Sequence, residues 1–217
     1  MTLLSNSVTE LVARPYDAEV PRPRTHDDAL RVRLLEAASA ALAAGGPAAL
    51  SLRSVATAAG TTTAAVYTLF GGREALVEAV VEEGFRRFAA YLDAAPRSDD
   101  PWADLLALGV AYRANAVENP HFYRVMFAPA GGRAGAGARD DPRRGVAAPT
   151  FAVLRDAVVR ATAAEGGEAD AVAVRLWALA HGLVSLELAG LLPGSPEERA
   201  RAYVAALRGE PRLGPRA

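Results

Sequence analysis

Cysteine is missing from this 217-residue chain. That removes disulfides, thiolate zinc sites and thiol nucleophiles at once. Lysine is missing too: all 24 basic residues are arginine, a bias that GC-rich coding explains before function does. Neither sign of charge is in excess, since 25 acidic residues leave a formal net charge of −1. The chain is therefore not a globally basic nucleic-acid binder, and any surface for DNA must be local. Strand-like alternation never persists for more than a few residues. The N-terminal stretch Met1–Asp17 has neither the basic start nor the apolar core of a secretory signal, so a cytoplasmic location is expected. The most apolar run, Leu176–Leu192, approaches spanning length but contains His181, Ser185 and Glu187. It reads as a buried helix of a soluble domain, and no membrane partner is expected.

Enzymatic signatures are also lacking. His26, His121 and His181 show no metal-ligand spacing, and there is no nucleophile elbow, phosphate-cradling glycine loop or metalloprotease motif. The paired acids Asp99-Asp100 and Asp140-Asp141 fall in loops and suit solvated caps. Neither metal nor cofactor nor catalytic residue is expected.

What the chain does have is helix-forming substance. Apolar residues make up 51%, and alanine, roughly a quarter of the chain, carries the lowest side-chain entropy cost in a helix. An all-α protein is expected: an N-terminal three-helix domain with a helix-turn-helix, then a larger helical domain. Residues 1–24, broken by Pro15, Pro21 and Pro23, read as a flexible arm, with the first domain over 25–72 and the second over 73–217. Thr25 to Ala44 forms the first helix, stopped by Gly45-Gly46-Pro47. Ser51 caps a second helix, Gly60 turns the chain, and Thr61–Phe70 makes a short third one. Further helices are expected at Arg73–Ala94, Pro101–Glu118, His121–Phe127, Pro149–Ala164, Glu168–Leu192 and Pro196–Leu207. Between them Ala128–Ala148, rich in Gly, Ala and Arg without periodicity, reads as a long loop.

Two short helices meeting at Gly60, with Ala56 and Ala65 where the backbones approach, have helix-turn-helix spacing. Val66 and Phe70, four apart, would anchor the third helix on Leu34, Leu35 and Val55. Thr62, Thr63, Ala64, Tyr67 and Thr68 are left on the open face, able to enter a major groove N-terminus first. The string Thr62 to Leu76, Thr-Thr-Ala-Ala-Val-Tyr-Thr-Leu-Phe-Gly-Gly-Arg-Glu-Ala-Leu, preceded by Leu52-Arg53 and Ala59-Gly60, resembles the tetracycline-repressor (TetR) family of bacterial regulators. Towards the C-terminus, Leu176-Trp177-Ala178-Leu179-Ala180-His181-Gly182-Leu183 is similar to the Trp…His-Gly helix of the WHG-domain subgroup. Asn119-Pro120 with Phe122-Tyr123-Arg124-Val125-Met126-Phe127 also resembles that subgroup.

The resemblance implies a transcriptional regulator, by family habit a repressor, that binds a palindromic DNA operator as a homodimer and is released by a small-molecule effector, with residues 25–72 as the DNA-binding domain and 73–217 as the ligand-binding and dimerisation domain. It implies that Thr62 and Tyr67 bind phosphate, that Thr63 and Thr68 face base edges beside Ala64, and that Arg73 and Arg53 touch phosphates. Thr63 departs from a frequent Lys or Arg, and Thr68-Leu69 from a common His pair. From Arg24 to Glu74 there are five arginines against four acids, so Arg22 and Arg24 of the arm are expected to add charge by reaching a minor groove.

The aromatic residues Tyr91, Trp102, Tyr112, Phe122, Phe127, Phe151 and Trp177, with Met126 and His181, either line an effector pocket or fill a core; sequence leaves both open. Such a pocket would take an apolar or aromatic molecule. The helix over 168–192 is apolar on nearly every side, with a small-residue seam of Ala178, Gly182, Ser185 and Ala189. It is expected to pair, with the helix over 196–208, against a second copy.

Overall fold

The computed structural model describes residues 24–128, 143–162 and 166–209 of the chain. Among these residues every element is a helix.

Helix α1 (Arg24–Ala49) buries Leu34, Leu35, Ala38 and Leu42. Its regular part ends at Gly46, where φ 67° and ψ −170° break the hydrogen-bond ladder before Pro47, so the glycine-proline stop acts as the sequence suggests. Helix α2 (Leu52–Ala58) starts on Ser51, whose side chain accepts the Ser54 amide at 3.4 Å. Gly60 then takes φ 68°, a left-handed value that costs glycine alone nothing. The two amides after Ala59 bond back to Thr57 and Ala56 at 3.1 and 2.9 Å, closing the turn. Helix α3 (Thr63–Phe70) begins two residues later than the pattern suggested, because the Thr62 side chain caps it by accepting the Ala65 amide.

Helix α4 (Arg73–Asp93) belongs to two cores. Its first half sends Leu76, Ala79 and Val80 among Leu34, Val55 and Val66; its second half sends Phe85, Phe88 and Leu92 into a separate aromatic cluster. Helix α5 (Pro101–Glu118) is capped by Asp100, which accepts the Trp102 and Ala103 amides. Asn119 joins it to α6 (Pro120–Phe127), one residue longer at its start than expected because proline suits the first helical position. A side chain at Gly84 would meet Met126 at 2.7 Å, so glycine there lets α4 and α6 approach.

Helix α7 (Arg143–Thr162) corrects the loop expected over Ala128–Ala148: residues 143–148 are helical, and Pro149 sits inside the helix at the loss of one backbone bond. Residues 129–142 lie outside the described part. Helix α8 (Gly166–Leu188) ends earlier than expected, at a turn through Gly190 with φ 70°, and the Arg124 guanidinium caps it by donating to the Leu188 carbonyl at 2.9 Å. Helix α9 (Pro196–Leu207) has a capping box, Ser195 with Glu198. Glu187 ties these last elements together, accepting from Arg113 at 2.6 and 2.7 Å and from Arg199 at 3.2 Å. Those guanidiniums, first the hydrogen bond from Arg113, hold its carboxyl below the usual range.

Helix α8 is not buried all round. Its inward side carries Ala169, Ala173, Ala180 and Val184; Val174, Trp177, Leu179 and Leu186 are exposed. By length and a mean hydropathy of 1.4 it could cross a membrane, but it packs on α5, α7 and α9. Of the small-residue seam, Ala178 and Ala189 are exposed and a side chain at Gly182 would meet nothing within 4 Å, while Ser185 is half-buried beside Tyr123.

Candidate DNA-reading helix and effector cavity

Four of the five residues expected on the open face of α3 lie in the helix itself, and the fifth, Thr62, is its cap. Thr62, Thr63, Ala64, Tyr67 and Thr68 are all exposed, Tyr67 by 58%. Val66 is fully buried behind them. Their chemistry suits an incoming anion and base edges. Thr62 spends a lone pair on the cap and keeps its hydroxyl proton to donate. Thr68 donates to the Ala64 carbonyl at 3.0 Å, which leaves its oxygen as an acceptor. Arg53 projects from α2 and is exposed.

The arginines are less available than a count suggests. Arg73 donates to the Leu50 carbonyl at 3.1 Å and to the Pro47 carbonyl, clipping the α1–α2 connection to the start of α4. Arg33 donates to the Ala59 carbonyl at 3.2 Å, and Arg31 lies 4.7 Å over the Phe70 ring. Three of the five arginines between residues 24 and 74 thus brace the helix-turn-helix itself. Periodicity gave no sign of Arg31 and Arg33, because both bonds cross between elements. Arg24 opens α1, with its side chain outside the described part, as is Arg22.

In the second half of the chain, three polar side chains converge inside the aromatic cluster. The Tyr112 and Tyr123 hydroxyls stand 3.1 Å apart and lie 2.9 and 2.8 Å from His181 Nδ1. The His181 ring stacks on Tyr123 and meets Phe127 edge-on at 4.8 Å; Trp177 bridges onward to Phe151. Desolvation holds His181 below its ordinary range and pushes both tyrosines up. The whole cluster is uncharged at neutral pH.

Next to it opens a cavity of about 450 Å³ between α5, α7, α8 and α9, lined by Trp102, Tyr112, Trp177 and a set of leucines. Of the expected pocket residues, these three line it, while Phe127, Phe151 and His181 flank them through ring contacts. The others stand elsewhere. Tyr91 donates to Glu118 near the surface. Met126 fills the space under Gly84, and Phe122 is buried in the N-terminal core beneath the Arg87 guanidinium, 4.2 Å from its ring.

Tyr123 is the site residue that sequence reasoning passed over. On α6, Phe122 enters the N-terminal core while Tyr123, Met126 and Phe127 join the second cluster, so helical spacing, which pairs Phe122 with Met126, could not have separated the two. Arg87 was also passed over. It pairs with Glu36 of α1 and Glu83 of α4 and donates to Asn119 at 2.9 Å.

Two family patterns match the chain. "Bacterial regulatory proteins, tetR family" covers residues 34–80, the helix-turn-helix just described, and "Tetracyclin repressor-like, C-terminal domain" covers residues 105–208. The regulatory protein SCO4313 is 30% identical, with 90% of this chain and 100% of that one covered at a TM-score of 0.65. The chain belongs to the TetR family. It is a DNA-binding transcriptional regulator and not an enzyme; membership implies dimerisation and a place in the cytoplasm.

Other solved structures share the fold of this TetR-family regulator. One is a protein of unknown function from Rhodococcus sp. RHA1, 28% identical, with 91% of this chain and 98% of that chain covered at a TM-score of 0.62. Another is the TetR-family transcriptional regulator PfmR from Thermus thermophilus, 22% identical, with 83% and 100% covered at a TM-score of 0.62. No curated protein matches the sequence.

Proposed function

We propose that this regulator is a ligand-responsive repressor of the WHG-domain subgroup. It binds a palindromic operator as a homodimer and leaves it when a small apolar or aromatic molecule enters the sensing half. The observation that carries the DNA reading is the open face of α3, where Thr62, Thr63, Ala64, Tyr67 and Thr68 stand clear of a fully buried Val66. Thr62 and Tyr67 bind phosphate, Thr63 and Thr68 meet base edges with Ala64 between them, and Arg53 adds a phosphate contact. Arg73 orders the helix-turn-helix and offers its remaining N–H groups to the backbone of DNA.

In this reading residues 25–72 read DNA and 73–217 sense and dimerise, and α4 and α6 couple the two. Tyr123 of α6 joins the His181 cluster, and its neighbour Phe122 lies in the N-terminal core under Arg87, which is paired with Glu36 of α1. An effector that binds two settings of α6 with different affinity shifts the recognition helices.

Tyr67→Phe should weaken operator binding by about 0.5–1.5 kcal/mol, one hydrogen bond, with the melting temperature nearly unchanged. The comparison is made by titration on an operator selected from random-sequence DNA. Equal affinity at several salt concentrations would remove Tyr67 from the interface.

With Arg31, Arg33 and Arg73 occupied in bracing, the arm gains weight as a source of charge. Deleting residues 1–23 together with Arg24→Ala should flatten the slope of log affinity against log salt by up to about two phosphates' worth. An unchanged slope would show the arm to be inert.

A further inference from the structure

Both tryptophans of the chain border the same cavity, Trp102 from α5 and Trp177 from α8. They are 60% and 37% exposed, a costly way to place the two largest apolar side chains unless something covers them. Between them the wall is leucine, with Leu105, Leu106 and Leu108 from α5, Leu154 from α7 and Leu176 from α8. Lining residues run along α5 from Trp102 to Tyr112, roughly 15 Å at the helical rise. The cavity volume of about 450 Å³, spread over that length, leaves a cross-section of roughly 30 Å². This is a slot for one hydrocarbon chain or a flat ring, not for a bulky head.

Charge is confined to the rim. Asp100 and Arg208 are the charged lining residues and both are exposed. Asp100 already accepts the Trp102 and Ala103 amides at 2.9 and 3.3 Å. Farther along the slot the one hydroxyl among the lining residues is that of Tyr112, which belongs to the cluster with Tyr123 and His181. In either tautomer of His181 only two of the three close contacts can be hydrogen bonds. If Nδ1 accepts, one tyrosine donates to it and the other donates to the first tyrosine. If Nδ1 carries the proton, it donates to one tyrosine, which donates to the other, and the last hydroxyl proton turns outward. The cluster can therefore give a hydrogen bond to a carbonyl or take one from a hydroxyl by changing tautomer. An ionised group at the Tyr112 end of the slot would have no charged partner among the lining residues.

On the ligand-sensing reading above, we propose that this cavity binds an uncharged amphiphile: a hydrocarbon chain or flat ring laid between Trp102 and Trp177, ending in a single hydroxyl or carbonyl that exchanges a hydrogen bond with the Tyr112–Tyr123–His181 cluster. Burial keeps all three members neutral at pH 7, which agrees with a neutral guest.

The tryptophans report on their own site. Full-length protein and the variants Trp102→Phe and Trp177→Phe are titrated with 1-decanol, decanoate and decylammonium at pH 7.5 while emission is recorded. Decanol should shift emission in the wild type and in both single-tryptophan variants. Each charged analogue should bind at least about tenfold more weakly. Tyr112→Phe should lower decanol affinity about three- to tenfold with unchanged circular dichroism. A silent tryptophan in either variant, or a charged analogue that binds as tightly as decanol, overturns the proposal. Release of protein from its selected operator is followed in parallel. Decanol that binds as described without releasing DNA leaves the cavity assignment standing and sinks the sensing reading. Release by any compound that moves neither tryptophan sinks the cavity assignment and leaves sensing intact.

Discussion

Leu186→Arg should convert the dimer into a folded monomer that no longer holds a palindromic operator. Leu186 is 42% exposed and Leu179, 40% exposed, lies two turns earlier on the same open side of α8. Gly182 between them has open space in front of it, and Ala178 and Ala189 are exposed alongside. Small residues flanked by leucines let two helices approach closely, and a two-fold axis presents every substitution twice. Arginine at 186 would place two unpaired charges in one apolar interface, at several kcal/mol each. A single recognition helix then loses the gain from holding two half-sites, about 10²–10⁴-fold in affinity. Light scattering over a dilution series measures the mass, and circular dichroism checks the fold. Leu183, by contrast, is half-buried against the aromatic cluster of its own chain. Leu183→Arg would damage folding first and say less about the dimer. A Leu186→Arg protein that stays dimeric and keeps its operator affinity would place the interface elsewhere.

Phe122→Ala is expected to be the most destabilising single substitution, at about 3–5 kcal/mol. The ring is 2% exposed and lies in the N-terminal core although it comes from α6. It is also the seat of the Arg87 guanidinium, which joins Glu36 to Glu83. Truncation leaves a cavity and frees the guanidinium, so α1 loses part of its hold on α6 and the C-terminal half. Urea unfolding of the variant beside Phe127→Ala separates this from a general loss of aromatic packing. Phe127 is only partly buried and lies in the second cluster, so its removal should cost less. A loss below about 1 kcal/mol for Phe122→Ala would show that the core closes over the gap and that the junction is not held there.

The helix-turn-helix was legible because its determinants are local. Ser51 and Thr62 cap their helices through bonds to residues three positions on, Gly60 takes a left-handed turn, and Val66 and Phe70 share a face by spacing alone. Those features settle which side of α3 is open before any partner helix is considered. Helix ends elsewhere were less legible where tertiary packing overrode propensity. Arg124 of α6, for one, helped stop α8 at Leu188.

By itself, then, the sequence determined an all-helical chain with a helix-turn-helix, since periodicity, caps and glycine turns act over a few residues, and its likeness to the TetR family implied a regulator. The tertiary structure decided what those residues could not. It placed Phe122 in the core of the other half, gathered Tyr112, Tyr123 and His181 from three helices into one cluster, and opened the slot between Trp102 and Trp177. It also left open space in front of Gly182 and tied Arg31, Arg33 and Arg73 to their own domain. The reason is one of range. A cap or a turn is closed by neighbours in the chain, whereas the buried polar cluster joins side chains 69 positions apart and the cavity draws on residues from Asp100 to Arg208, whose meeting depends on how whole helices pack.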